Sequence, residues 1–227
     1  VDICNIAKLN PSNVRSIPVD ESGMLVGEHL KGCDLVYTTP SHQCPTTATM
    51  PIERRYQLLE QASKDDFIII EDDYESETNF ESNPIPALKS LDNHDRVLYI
   101  GSLSKTLAPG LRLGYLVGPA KLIQEVRALR RLIVRHPAAN NQRSVALFIE
   151  RGYHNALTMN INRNYKARWR AMDEALRKYL PESHIQPTFG GSSYWVKGPE
   201  NLDADELQKR AMEESILIES GTIHFIE

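Results

Sequence analysis

The run Gly101-Ser-Leu-Ser-Lys-Thr-Leu-Ala-Pro-Gly-Leu-Arg112 sets one lysine, Lys105, among hydroxyl residues, with Ser102 and Ser104 before it and Arg112 seven positions after it. A lysine amine can condense with an aldehyde, and hydroxyls beside a guanidinium fork are apt donors to a phosphate. The segment therefore suits covalent capture of a phosphorylated aldehyde cofactor, with Lys105 as the residue that would hold pyridoxal phosphate. Taken alone, a lysine in a small polar loop is more often a solvated surface residue, so the rest of the chain has to decide.

A second group is Ile70-Glu-Asp-Asp-Tyr74, where an apolar run ends in three carboxylates. Unpaired carboxylates are costly to bury, so they normally meet a cation, a metal or a protonated heterocycle. A metal would want further oxygen or histidine ligands at compact spacing, and the sequence offers none there. Glu71 or Asp73 could instead cap a following helix. In the cofactor reading Asp72 faces the pyridinium nitrogen and keeps the ring protonated. Tyr74, two residues on and so on the same side of an extended strand, would reach the phenolic oxygen. A third group, Tyr37-Thr-Thr-Pro-Ser-His-Gln-Cys-Pro-Thr46, must turn at Pro40 and Pro45. It could bring Ser41, His42 or Gln43 beside such a ring, although His42 could equally be packed and hydrogen-bonded within the turn.

These groups need strand ends to hold them. Short apolar runs at Asp34–Thr38, Phe67–Ile70, Val97–Ile100 and Gly114–Gly118 alternate with helical patterns such as Ile52–Ser63. That alternation predicts an α/β layer on a largely parallel sheet, with chemistry at the strand ends. The unbroken apolar run Phe67–Ile70 reads as a strand covered on both faces. Helices are predicted over Ala120–Arg135, Asn141–Arg151 and Leu157–Leu180. On the last, Ile161, Tyr165, Trp169, Met172 and Leu176 form a stripe that reads as core or interdomain packing rather than a cofactor box. A strand at Gly191–Val196, a helix Ala204–Glu214 capped by Asp203 and an apolar Ile216–Ile218 follow. We place a boundary near Asn160, dividing residues 1–159 from a smaller α+β part, 160–227.

The chain has 227 residues, 41% of them hydrophobic, enough for a sizeable core. Its 26 basic and 30 acidic residues are interspersed, for a formal charge of −4, so it carries no electrostatic footprint for nucleic acid. Cys4, Cys33 and Cys44 have neither metal-ligand nor disulfide-framework spacing, which fits a reduced, cytoplasmic setting. There is no signal-peptide pattern and no apolar run long enough to cross a membrane.

Together, in this order, the three groups resemble the fold-type-I pyridoxal phosphate enzymes, the aminotransferase superfamily. Thr39-Pro-Ser-His-Gln-Cys-Pro-Thr46, Glu71-Asp-Asp-Tyr-Glu-Ser-Glu77 and Ser102-Leu-Ser-Lys-Thr-Leu-Ala-Pro-Gly-Leu-Arg-Leu-Gly114 look most like its regulatory branch, the MocR-type transcription regulators of the GntR superfamily. The resemblance implies Lys105 as the Schiff-base lysine, Asp72 as the pyridinium partner and Tyr74 on the phenolic oxygen. It implies Ser102, Ser104 and Arg112 as the phosphate grip, with His42 near the ring. It further implies an effector-sensing domain that detects an amino acid or amine by aldimine exchange at Lys105, within a cytoplasmic homodimer. A genuine class I/II aminotransferase and a degenerate domain that only dimerises are the other readings. Where the family has glycine after Pro-Thr, this chain has Thr47. On the same resemblance the chain is expected to be a fragment: the fold would begin before Val1, with a winged-helix DNA-binding domain earlier still, and a carboxylate-binding arginine would follow Glu227.

Overall fold

The computed structural model describes residues 5–7, 9, 12–75, 77–78, 85–186 and 190–225. Two short strands, β1 (Val19–Asp20) and β2 (Gly23–Met24), pair antiparallel. The main sheet follows with β3 (Leu35–Thr38), β4 (Ile68–Asp73), β5 (Val97–Ser102) and β6 (Gly114–Val117), in that spatial order. Helix α1 (Ile52–Asp65) joins β3 to β4, and the short α2 (Leu88–Leu91) precedes β5. With these crossovers β3, β4 and β5 run parallel. The loop 103–113 contains no crossover helix, and β6 returns antiparallel to β5.

One face of the sheet is sealed. Leu58 and Ala62 of α1, Leu88 of α2, and Phe67, Ile69 and Val97 are all fully buried, with Leu30 and Met50 in the same cluster. The run at Phe67–Ile70 departs from the two-sided burial expected of it. Burial alternates along β4, so Ile69, Glu71 and Asp73 are inside while Ile68, Ile70 and Asp72 are only partly covered. The half-open side also carries Tyr37 and Ile100, which pair in register with Ile70 and Asp72.

Helices α3 (Ala120–Ile133), α4 (Ala139–Glu150) and α5 (Tyr153–Tyr179) come next. No residue of α3 is buried, and Leu132 at its apolar end is 84% exposed. Helix α5 starts earlier than the apolar stripe predicted, after Gly152 in a left-handed conformation, and runs unbroken through Asn160. Its Trp169 stacks on Tyr194, whose hydroxyl donates to the Trp169 carbonyl at 2.7 Å. A two-stranded pair, β7 (His184–Ile185) and β8 (Val196–Lys197), follows. The strand expected at Gly191–Val196 is confined to its last residue, and Gly191, with φ of +94°, lies outside extended strand geometry. Helix α6 (Ala204–Glu213) is capped as expected, the Asp203 carboxylate accepting from Asp205 and Glu206 N–H. Ile216–Ile218 forms no strand and is exposed.

Candidate functional site

The three carboxylates at the end of β4 part company because a strand points alternate side chains to opposite faces. Glu71 turns inward, with no exposed surface, and accepts the Leu88 and Lys89 N–H groups at 2.7 and 2.8 Å. It therefore caps α2, the structural role open to it from sequence. Burial pushes its carboxyl up, and those two N–H groups oppose the shift. Asp73, on the same face, accepts from the Tyr99 hydroxyl at 3.0 Å. Asp72 points to the half-open face, where the Tyr37 hydroxyl donates to its Oδ2 at 2.5 Å. Burial first, and the Asp72 carboxylate second, push the Tyr37 phenol up, so it remains a donor at any working pH. Tyr37 is a site residue that sequence reasoning passed over. Strand register, which sets Tyr37 opposite Ile70 and so beside Asp72, is what reveals it.

Lys105 and Arg112 both sit in the loop 103–113. The loop is closed at its neck by Leu103 N–H on Leu113 O and by the Ser104 hydroxyl, which bonds both the N–H and the carbonyl of Leu113 at 3.1 and 3.3 Å. The Ser104 hydroxyl is thus engaged within the loop. At the root, the Tyr115 ring lies over Gly101, where a Cβ would fall 2.2 Å from it and turn the ring aside. Lys105 has its side chain more than half exposed, with Nζ 4.7 Å above the Tyr74 ring and 3.5 Å from Glu75 Oε1. Ser102, Tyr74 and Lys105 line one cleft together with Ile161 and Tyr165 of α5. Part of the stripe read as packing alone therefore borders Lys105. Arg112 is exposed and makes no ion pair among the described residues. Tyr74 lies just beyond β4, and its hydroxyl donates to the His42 carbonyl at 3.1 Å.

His42 sits in the 38–50 turn, which is braced by Gln43 N–H on Ala48 O, Met50 N–H on Pro40 O and Cys44 N–H on the Thr39 hydroxyl. The imidazole is 4% exposed and its Nδ1 has no partner among the described residues. Burial pushes His42 down, against the opposing pull of Glu75 and Asp73, while Arg55 adds to the downward shift. A lowered folded value means that the unfolded chain takes up this proton first as pH falls, so stability declines below about pH 6.5. The loss ends once the folded imidazole itself protonates. Urea midpoints at pH 7.5 and 5.5 should show a larger acid loss for the natural chain than for His42→Gln.

Thr47 has φ of +62°, the left-handed region, at the position where the resembling family has glycine. A β-branched residue is a genuine outlier there. The left-handed backbone costs about 1–2 kcal/mol, against about 0.5–1 kcal/mol for the extra freedom of an unfolded glycine. Its buried hydroxyl also has no partner among the described residues. Thr47→Gly is therefore expected to stabilise the chain by about 1 kcal/mol, raising Tm by about 2–4 °C in a thermal melt.

A sheet of this order, with an amine on the loop after β5, a phenol-anchored carboxylate on the neighbouring β4 and a guanidinium without an ion pair among the described residues closing the same loop, defines a protein of the fold-type-I kind. The profile of the family described as aminotransferase class I and II matches residues 5–225, and the chain belongs to that family. It is 44% identical over 214 residues to the HTH-type transcriptional regulator TauR of Rhodobacter capsulatus, covering 94% of this chain and 44% of that protein. It is 33% identical to the probable rhizopine catabolism regulatory protein MocR of Rhizobium meliloti, over 78% of this chain and 35% of that one. Kynurenine aminotransferase of Pyrococcus horikoshii, solved in complex with PMP, superposes with a TM-score of 0.83 at 35% identity, over 88% of this chain and 52% of that one. The chain thus spans about half the length of the relatives it matches, or less. The expected fold class and the resemblance to MocR-type regulators are borne out.

The residues present suit pyridoxal phosphate chemically. The Lys105 side chain is more than half exposed, and among the described residues the Asp72 carboxylate has a hydrogen-bond donor but no ion pair and Arg112 has no ion pair. Among the described residues no cluster of three or more histidine, cysteine or acidic side chains could hold a metal ion.

Proposed function

We propose that this chain is the pyridoxal phosphate-binding, effector-sensing domain of a MocR-type transcription regulator. The observation that carries this reading is the Lys105, Asp72, Tyr74 and Arg112 set on a chain 44% identical to a transcriptional regulator across nearly its whole length. When bound, the cofactor supplies an aldehyde carbon open to amines and an electron-withdrawing ring. Lys105 would hold it covalently, its Nζ releasing a proton to water before bonding. The Asp72 carboxylate, fixed by Tyr37, would keep the ring nitrogen protonated, and Tyr74 would turn its hydroxyl from the His42 carbonyl to the phenolic oxygen. Ser102, the Ser104 loop and Arg112 would grip the phosphate, and His42 would flank the ring.

A small amino compound is the fitting effector, since displacement at Lys105 needs a nucleophilic amine. The working protein would be a cytoplasmic homodimer that meets DNA only through residues beyond these 227, and residues 1–159 and 160–227 would act as its two parts. Among the described residues no helix is long and apolar enough to cross a membrane. The second reading, a genuine aminotransferase, is favoured by the likeness to the kynurenine enzyme. In it the freed Lys105 amine would serve as the base that moves the substrate's Cα proton.

The test is the visible absorbance of the chain with pyridoxal phosphate, beside Lys105→Ala, followed by a panel of amines with a keto-acid acceptor. A long-wavelength band that needs Lys105 and responds to amines without producing keto acid supports the sensor. Turnover supports the enzyme, and no Lys105-dependent band overturns both.

A further inference from the structure

Glu75 follows Tyr74 just past the end of β4 and is 6% exposed. Its carboxylate is shared between two distant parts of the chain. The Ser192 N–H donates to Oε2 at 3.3 Å and the Ser192 hydroxyl makes a short bond to Oε1, the same oxygen that lies 3.5 Å from Lys105 Nζ. Gly191 fits tightly beside this contact. Its φ is +94°, its N–H donates to the Thr78 carbonyl at 3.0 Å, and a Cβ there would lie 3.3 Å from Glu75 Oε2 and 3.4 Å from His42 Nδ1. Residues 190–192 are therefore wedged between the His42 turn and the turn after β4, and one buried carboxylate joins them to the reactive lysine.

We infer that Glu75 is a positioning residue that holds Lys105 and the 190–192 segment in a single arrangement, and that occupation of Lys105 loosens that segment. The second half rests on the proposed attachment at Lys105; the first does not. As an ammonium, Nζ offers three N–H donors to Glu75. Condensation with an aldehyde removes one proton to water, forms C=N, breaks C=O and expels water, so Nζ no longer offers those three donors. Glu75 then keeps only Ser192, and the charge that drew the two parts together is diminished. This supplies a sensor with a path from Lys105 to residues far along the chain.

Amide hydrogen exchange of the full chain, resolved at Gly191–Tyr194, tests it in two arms. Without cofactor, Glu75→Ala should speed exchange of the Ser192 amide about tenfold, the scale of a hydrogen bond to a charged group. Lys105→Met should speed it about two- to fivefold, the scale of a half-exposed ion pair. In a Glu75→Gln background, which keeps an acceptor for Ser192 but not the charge, Lys105→Met should have no effect. An equal effect of Lys105→Met in both backgrounds, or none in either, overturns the inference. In the second arm, pyridoxal phosphate should speed exchange by the same two- to fivefold in the natural chain and not in Glu75→Gln. A Lys105-dependent absorbance band without that change overturns the coupling and leaves the sensor reading standing. Absence of the band overturns the sensor reading and the loosening on occupation, and the cofactor-free arm still decides the role of Glu75.

Discussion

Arg55→Met should unfold the chain at markedly lower urea, with a loss of about 3–5 kcal/mol, the cost of removing one partner of a buried ionic group. Arg55 has no exposed surface, and each of its three guanidinium nitrogens donates to a backbone carbonyl. Its Nε donates to Met50 O at 3.1 Å, one Nη to Pro40 O and the other to Pro86 O, each at 3.0 Å. Glu71 Oε1 lies 3.9 Å away. Burial pushes the guanidinium down, but Glu71 and Asp73 oppose this and it stays charged. Methionine fills much of the volume yet takes a donor from the Met50 and Pro86 carbonyls, leaves Pro40 O with only the Met50 N–H, and leaves Glu71 with only its α2 N–H partners. Against a total stability of about 5–15 kcal/mol this is a large share. Arg55→Lys should recover little, because a single ammonium cannot reach three carbonyls in three directions. The check is a urea midpoint that falls while the slope stays constant, with Glu71→Gln as a milder comparison.

The position of Arg55 explains why the candidate site could be read from sequence only in part. Lys105, Asp72, Tyr74 and Arg112 were legible because their types and local spacing already imply a chemistry. The unbroken apolar run hid the alternating burial of β4, which separates Asp72 from its neighbours Glu71 and Asp73. Arg55 was not legible either, since it lies on a helix whose apolar pattern gives no hint that a cation is folded underneath. Tyr37 needed the β3–β4 register, and Glu75 and Ser192 needed a contact between segments that no local pattern encodes. Gly191 reads as the start of a strand because Tyr194-Trp-Val196 follows it, but its φ of +94° departs from extended geometry and Ser192 meets Glu75 instead. The apolar spacing of α3 predicted a helix correctly, and it left open that none of its residues is buried, for periodicity reports which face is apolar and not what lies against it.

Arg112→Ala carries the largest expected effect on binding, and it can be read without any assay of turnover. Arg112 has φ of +49° at the end of the 103–113 loop, is exposed and makes no ion pair among the described residues, so its guanidinium is available to an anion. If it grips the cofactor phosphate, its loss removes a bidentate charge-assisted contact of about 1.5–3 kcal/mol, or about 10- to 150-fold in Kd. Pyridoxal, which has the same aldehyde and ring but no phosphate, separates this from a general disturbance of the loop. The natural chain and Arg112→Ala should bind pyridoxal equally, as judged by the Lys105-dependent absorbance, while their affinities for pyridoxal phosphate diverge. Arg112→Lys should recover part of the difference, since an ammonium keeps the charge and loses the fork. Equal loss for both ligands would assign Arg112 to the loop's conformation, and no loss for either would move the phosphate to another part of the protein. The strained backbone favours the first outcome over the second for any failure. A non-glycine residue at positive φ is itself a cost, and the Ser104–Leu113 clamp beside it is what holds the loop in that shape.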